Sequence, residues 1–155
     1  MDMTWLEEHL FHHALNNDER EVLNDCVEVR GYQKGEVLIV EQAVVNGLFV
    51  LKDGVVALKH EQHGQSVQIG RLESGAQLGD MSLFGASRAS VTVVALCDCT
   101  VYQLPQKVLN DLMCHRQSLM QNILQNSIHN LSQALRQMND QQAYTWQYMQ
   151  GVHAA

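Results

Sequence analysis

The chain is poor in the residues that break helices late and open them early: its one proline is Pro105, and no glycine follows it until Gly151. It is also poor in charge, with 17% charged residues, and in aromatics, with 6%. No apolar run approaches the ~20 residues that a membrane-spanning helix needs, which excludes an ordinary helical span. The N-terminal stretch has neither a basic start nor an apolar segment ending in small residues, so no export signal is visible and a cytoplasmic location is expected. The four cysteines, Cys26, Cys97, Cys99 and Cys114, form no paired framework, so thiols rather than disulfides are expected.

Basic residues are scarce as well. The formal net charge is -7, and residues 1–104 carry 7 Lys and Arg against 15 Asp and Glu, while 105–155 carry 3 against 2. Nucleic-acid binding depends on neutralising phosphates, so this balance argues against direct binding by this chain. Catalytic signatures are missing too: no nucleophile elbow, no Gly-Lys-Ser phosphate loop and no meaningfully spaced carboxylate pair. Eight histidines invite a metal reading, above all His60-Glu61-Gln62-His63. Yet two histidines three apart across a Gly64 turn need not converge, no His-Glu-x-x-His helix occurs, and no cofactor is expected. Cys97 and Cys99, two apart on an expected strand, read as small core residues.

What is present divides the chain in two, because nine of the ten glycines lie between Gly31 and Gly85. Helical spacing of apolar residues predicts helices over Trp5–Leu15 and Asp18–Val27, with Asp18 and Glu21 placed as a capping box. From Glu28 to Leu104, short segments rich in Val, Ile, Leu and Tyr alternate with glycine turns, which predicts seven or eight strands. Asp53-Gly54 between Leu48–Leu51 and Val55–Leu58 predicts a hairpin with a type I′ turn, and His63-Gly64 a second. Val37–Val40, Val67–Leu72, Val91–Leu96 and Thr100–Leu104 complete the set. The expected fold is mainly β with flanking α: a jelly roll (double-stranded β-helix) preceded by short helices and followed by a long C-terminal helix.

Pro105 fits the first turn of that helix. Along it, Met120, Leu124, Ile128, Leu131, Leu135 and Met138 form a narrow apolar stripe with heptad-like spacing. Such a stripe fits the seam of a homodimer, the alternative being a helix lying on its own barrel. The organisation expected is helices and β-roll over 1–104, a dimerisation helix over 105–142, and a tail over 143–155 whose Tyr144, Trp146 and Tyr148 could engage a protein partner. Ser127 and Ser132, on a polar helix, read as solvated.

Three segments carry a resemblance together: Tyr32-Gln33-Lys34-Gly35-Glu36-Val37, Gly47-Leu48-Phe49-Val50-Leu51-Lys52-Asp53-Gly54-Val55-Val56, and Gly75-Ala76-Gln77-Leu78-Gly79-Asp80-Met81-Ser82-Leu83-Phe84. The chain resembles the cyclic-nucleotide-binding domain superfamily. It is particularly similar to the sensor domains of bacterial catabolite-activator and fumarate-nitrate-type regulators, over residues ~4 to 140. The helix-turn-helix domain of those regulators has no counterpart here. The resemblance therefore implies a free-standing sensor acting through partners, or a part of a longer regulator.

It further implies a regulatory domain that binds cyclic AMP or cyclic GMP and is not an enzyme. In the family, a short helix presents free backbone N–H groups to the cyclic phosphate, an arginine grips it, and a glutamate accepts the ribose hydroxyl. Carried over, Gly79 allows the close approach, Asp80, Met81 and Ser82 open the short helix to Phe84, Asp80 is the acceptor, and Arg88 with Ser90 holds the phosphate. Two departures stand out. Asp80 is one methylene shorter than the family's glutamate, and Arg88 lies seven residues before Ala95 where the family has six. Either Arg88 takes the arginine's place from a preceding loop or Ala89 does, since a one-residue shift on a strand reverses the face. Asp80 and Arg88 can equally be read as a surface pair. The loop that usually reads Gln-Gly-Glu is Gln42-Ala43-Val44, and no threonine stands between Pro105 and Gln142 to select an adenine.

Overall fold

The computed structural model describes residues 1–80, 83 and 88–152, with side chains described through residue 140. Its elements are α1 (Met3–Leu6), a π-helical turn (Glu7–Phe11), α2 (Asn17–Cys26), eight strands, α3 (Gln106–His115) and α4 (Gln117–Val152). The strands are β1 (Glu28–Tyr32), β2 (Val37–Ile39), β3 (Gly47–Asp53), β4 (Val55–Gln62), β5 (Gln65–Glu73), β6 (Gln77–Leu78), β7 (Thr92–Ala95) and β8 (Cys99–Pro105). They form two antiparallel four-stranded sheets, β1-β8-β3-β6 and β2-β7-β4-β5. This is the expected jelly roll with flanking helices.

Two apolar cores sit on either side of the first sheet. Phe49, Leu51, Leu78 and Val101 point between the sheets, where they meet Ile39, Val56, Val93 and Ala95. Leu48, Val50, Tyr102 and Leu104 alternate to the other face and meet Leu6, Leu10, Leu23, Leu109, Leu112, Leu119 and Ile123 from the helices. A strand covered on both faces has no polar side to show, which is why Leu48-Phe49-Val50-Leu51 reads as an unbroken apolar run.

The Asp53-Gly54 hairpin is not formed. β3 and β4 belong to different sheets, so the chain crosses between layers there. Gly54 makes the corner at φ +103°, and a Cβ on it would come 2.5 Å from Cys99 Sγ and 2.8 Å from the Asp98 carbonyl oxygen. The His63-Gly64 hairpin does form, with positive φ at both residues and Gln62 opposite Gln65.

The helices depart from expectation in four ways. The capping box is Asn16 with Glu19, not Asp18 with Glu21: Asn16 Oδ1 accepts from the Glu19 amide at 2.9 Å and Glu19 Oε2 from the Asn16 amide at 3.1 Å. The first helix, expected over Trp5–Leu15, is an α-helical turn (α1) that widens into the π-helical turn and ends at His12 with φ 56°. Pro105 is the last residue of β8 and the N-cap of α3 rather than a helical residue. The single helix expected after it is broken at Arg116 (φ -136°, ψ 60°), which lets Leu109 and Leu112 of α3 and Leu119, Met120 and Ile123 of α4 enter the same core.

Cys99 is buried, and burial pushes its thiol pKa up. Cys97 lies beyond the end of β7 and is exposed, so the two thiols do not share a strand face. No helix among the described residues is long and apolar enough to cross a membrane.

Candidate functional site: a recess between the sheets

A recess of about 180 Å³ opens between the sheets. Its apolar wall is Ile39, Val45, Leu58, Leu72, Leu78, Ala89, Val91 and Val93; its polar edge is Gln77, Gly79, Asp80, Arg88 and Ser90. Five of the seven ligand-binding candidates named from sequence therefore line one cavity, contributed by the end of β6 and the segment leading into β7. Met81 and Ser82 lie outside the described residues. Asp80 and Leu83 are both in 3₁₀-helical backbone, where the short helix was expected.

Gly79 is required by its surroundings. Its φ is +76°, and a Cβ there would lie 2.7 Å from the Gly47 carbonyl oxygen and 2.9 Å from Val45 Cγ1. A left-handed residue with no room for a side chain has to be glycine.

The structure resolves the alternation around position 88. Ala89 and Val91 pack into the inter-sheet core, whereas Arg88 and Ser90 are exposed. The inward position thus belongs to Ala89, and Arg88 stands on the rim. There its Nη1 donates to the Gln42 carbonyl at 2.7 Å, and its backbone pairs with Val44 across an isolated bridge. The loop and this segment are further tied by Ala89 N–H donating to Ala43 O at 2.9 Å and Gln42 N–H donating to Ala89 O at 2.8 Å. The Ala89 amide is therefore engaged within the protein and not held open for an anion.

The remaining candidates are dispersed. Met120 is buried in the chain's own core, Leu124 is half-buried against it, Leu131 is half-buried, and Ile128, Leu135 and Met138 are exposed by 55%, 59% and 56%. The stripe divides: its start lies on its own barrel, and its later part is uncovered. Ser127 corrects the solvated reading, being wholly buried and donating to Gln77 Oε1 at 2.8 Å. Ser132 is exposed and caps back onto the Ile128 carbonyl. His60 pairs with Glu41 at 2.9 Å, and among the described residues no three His, Cys, Asp or Glu side chains gather as a metal site. Apart from Ala89, the apolar wall was missed from sequence, as was Gln77. The signal was available in part, since strand alternation from Leu78 turns Gln77 toward the helices.

The family model of the cyclic nucleotide-binding domain matches residues 29–116, more than half of the chain, which spans β1 to the end of α3. The chain belongs to the cyclic nucleotide-binding domain family. It is similar to the cAMP-dependent protein kinase type II regulatory subunit of Drosophila melanogaster, at 30% identity over 70 residues. That match takes in 45% of this chain and 19% of the relative, so the chain spans about a fifth of the relative's length. In fold it is similar to a cyclic nucleotide-binding domain from Methylobacillus flagellatus (TM-score 0.78, 19% identity, 89% of this chain and 80% of that one). It is also similar to the catabolite activator protein of Thermus thermophilus (TM-score 0.68, 21% identity, 83% and 61%).

Proposed function

We propose that the chain is a cytoplasmic regulatory sensor that binds a small anionic ligand, cyclic AMP or cyclic GMP, in the recess between the sheets and signals through α4 as a homodimer. It acts by binding, not catalysis. The observation that carries this reading is the convergence of Gly79, Asp80, Arg88, Ala89 and Ser90 on one cavity, in a chain of the cyclic nucleotide-binding family. The wall suits a base and sugar face, and the edge offers one carboxylate and one guanidinium. Typical ligand pockets run from about 300 to 1,000 Å³, so a nucleotide seats here only as the walls part. The exposed Ile128, Leu135 and Met138 supply the seam between two copies.

The test is calorimetry with cyclic AMP and cyclic GMP. Binding that Arg88→Ala weakens supports the reading; no heat from either nucleotide ends it. A second reading has its own observation, the inward alanine with the guanidinium tied to Gln42. In that reading the fold is kept as a protein-interaction module, with α4 and the tail meeting a partner. Loss of a partner on deleting residues 141–155, with no nucleotide binding in the intact chain, would favour it.

A further inference from the structure

β6 is only two residues long, and its side chains leave in opposite directions. Leu78 stands opposite Phe49, lies in the inter-sheet core and lines the recess. Gln77 stands opposite Val50, whose side chain is in the helix-side core. On that side the Gln77 amide oxygen accepts the hydrogen bond from Ser127, and Gln77 is 8% exposed. Its Nε2 is buried without a partner. The preceding residue on α4, Asn126, is equally buried, donates to the His9 carbonyl at 3.2 Å and stands 3.4 Å from His12 Nε2. Buried polar groups are costly unless they are paired, so these contacts fix where α4 sits.

We propose that Gln77 is a positioning residue that couples the recess to α4, its hydrogen bond to Ser127 passing movements of β6 to the helix. A ligand seated against Leu78 and Gly79 bears on β6, and the Gln77 amide is the polar contact by which that strand holds α4. The unpaired Nε2 supplies the second arrangement: a shift of α4 that offers it an acceptor recovers the cost of an unsatisfied buried donor. In its ligand-dependent part this rests on the recess being the binding site proposed above.

The experiment follows hydrogen exchange of the α4 amides over 119–131 in the full chain, with and without saturating cyclic AMP. In the unmodified protein the nucleotide changes those rates by about fivefold or more, the usual size of an intersite coupling. Ser127→Ala still binds the nucleotide, its affinity shifted by no more than the coupling factor, and loses the response at α4, and Ser127→Thr restores it. A response that persists in Ser127→Ala overturns the proposal. A ligand-free arm fills the recess from within by Ala89→Leu or Val91→Phe, each checked for a cooperative melt. Filling changes α4 exchange in the Ser127 background and not with Ser127→Ala. If neither filling variant changes α4 in the Ser127 background, the coupling is refuted whether or not nucleotide binds. If filling moves α4 but cyclic AMP does not bind, the sensor reading alone falls.

Discussion

Glu7 and Arg20 hold each other through two parallel hydrogen bonds, Nε to Oε1 and Nη2 to Oε2, each 2.9 Å. Glu7 is 8% exposed, and its Oε1 also accepts from the Leu15 amide at 2.8 Å, while Arg20 Nε reaches the Leu15 carbonyl at 3.2 Å. One carboxylate thus ties the π-helical turn, the following loop and α2 together.

Replacing that carboxylate should therefore loosen the N-terminal cap over the core. Glu7→Gln keeps the volume but cannot accept all three bonds, and losing the charged hydrogen bond to the half-exposed Arg20 costs about 1 kcal/mol. The Arg20 side chain is 44% exposed, so solvent screens the ion-pair part and keeps the figure from rising further. Urea unfolding should show a lower midpoint at unchanged slope; a midpoint equal to that of the unmodified chain contradicts the assignment.

Gly54 leads to a second prediction. Gly54→Ala places a methyl group against Cys99 Sγ and the Asp98 carbonyl at a φ of +103°, so both strain and overlap oppose it. Destabilisation of more than about 1 kcal/mol is expected, because alanine at positive φ loses more than a glycine-to-alanine change gains elsewhere. At Gly64 (φ +78°), with nothing within 4 Å of a Cβ, only the strain remains, and Gly64→Ala should cost less in the same melt. Equal losses at the two sites would show that the crossing is not tightly packed.

These two glycines mark how far the residues themselves reveal the architecture. Both stand between strand-type runs and both take positive φ, but the two-residue turn expected at each forms only at His63-Gly64, since Asp53 is not in the positive-φ region. Whether the strands on either side pair or part to different sheets depends on what covers Leu48–Leu51 from both faces, and local spacing carries no record of that. The same holds at the recess. Gly79 and Asp80 were legible from pattern, but whether Arg88 or Ala89 faces inward turns on the tertiary pairing with Ala43 and Val44. Ser127 was misread for a related reason: polarity marks a helix face as solvated only where no buried polar partner such as Gln77 waits for it.

The divided stripe on α4 predicts an association that can be cut without harming the fold. Ile128→Asp with Leu135→Asp places like charges at exposed positions of the helix, outside the buried set of Leu119, Met120 and Ile123. Sedimentation equilibrium should show two copies for the unmodified chain and one for the variant, with the second core intact by near-ultraviolet circular dichroism. A chain that sediments as a single copy before any substitution removes the seam from the account.

The inward position at 89 allows a test by gain rather than loss. Arg88 reaches the recess from the rim while Ala89 packs inward, so moving the guanidinium by one residue, Arg88→Ala with Ala89→Arg, should set it deeper in the recess, where a phosphate would meet it. Without ligand the swap buries an unpaired charge among Leu78, Val91 and Val93, so the free protein should melt at lower temperature. With cyclic AMP the charge meets a phosphate, and charge-assisted hydrogen bonds worth about 1.5 to 3 kcal/mol correspond to roughly a tenfold to hundredfold gain in affinity. The melting temperature should then recover with nucleotide and not with adenosine, which has the base and sugar but no anion. Weaker nucleotide binding by the swapped protein than by the unmodified one would instead put the working cation on the rim, at Arg88, and release of its guanidinium from the Gln42 carbonyl would become the event that admits the ligand.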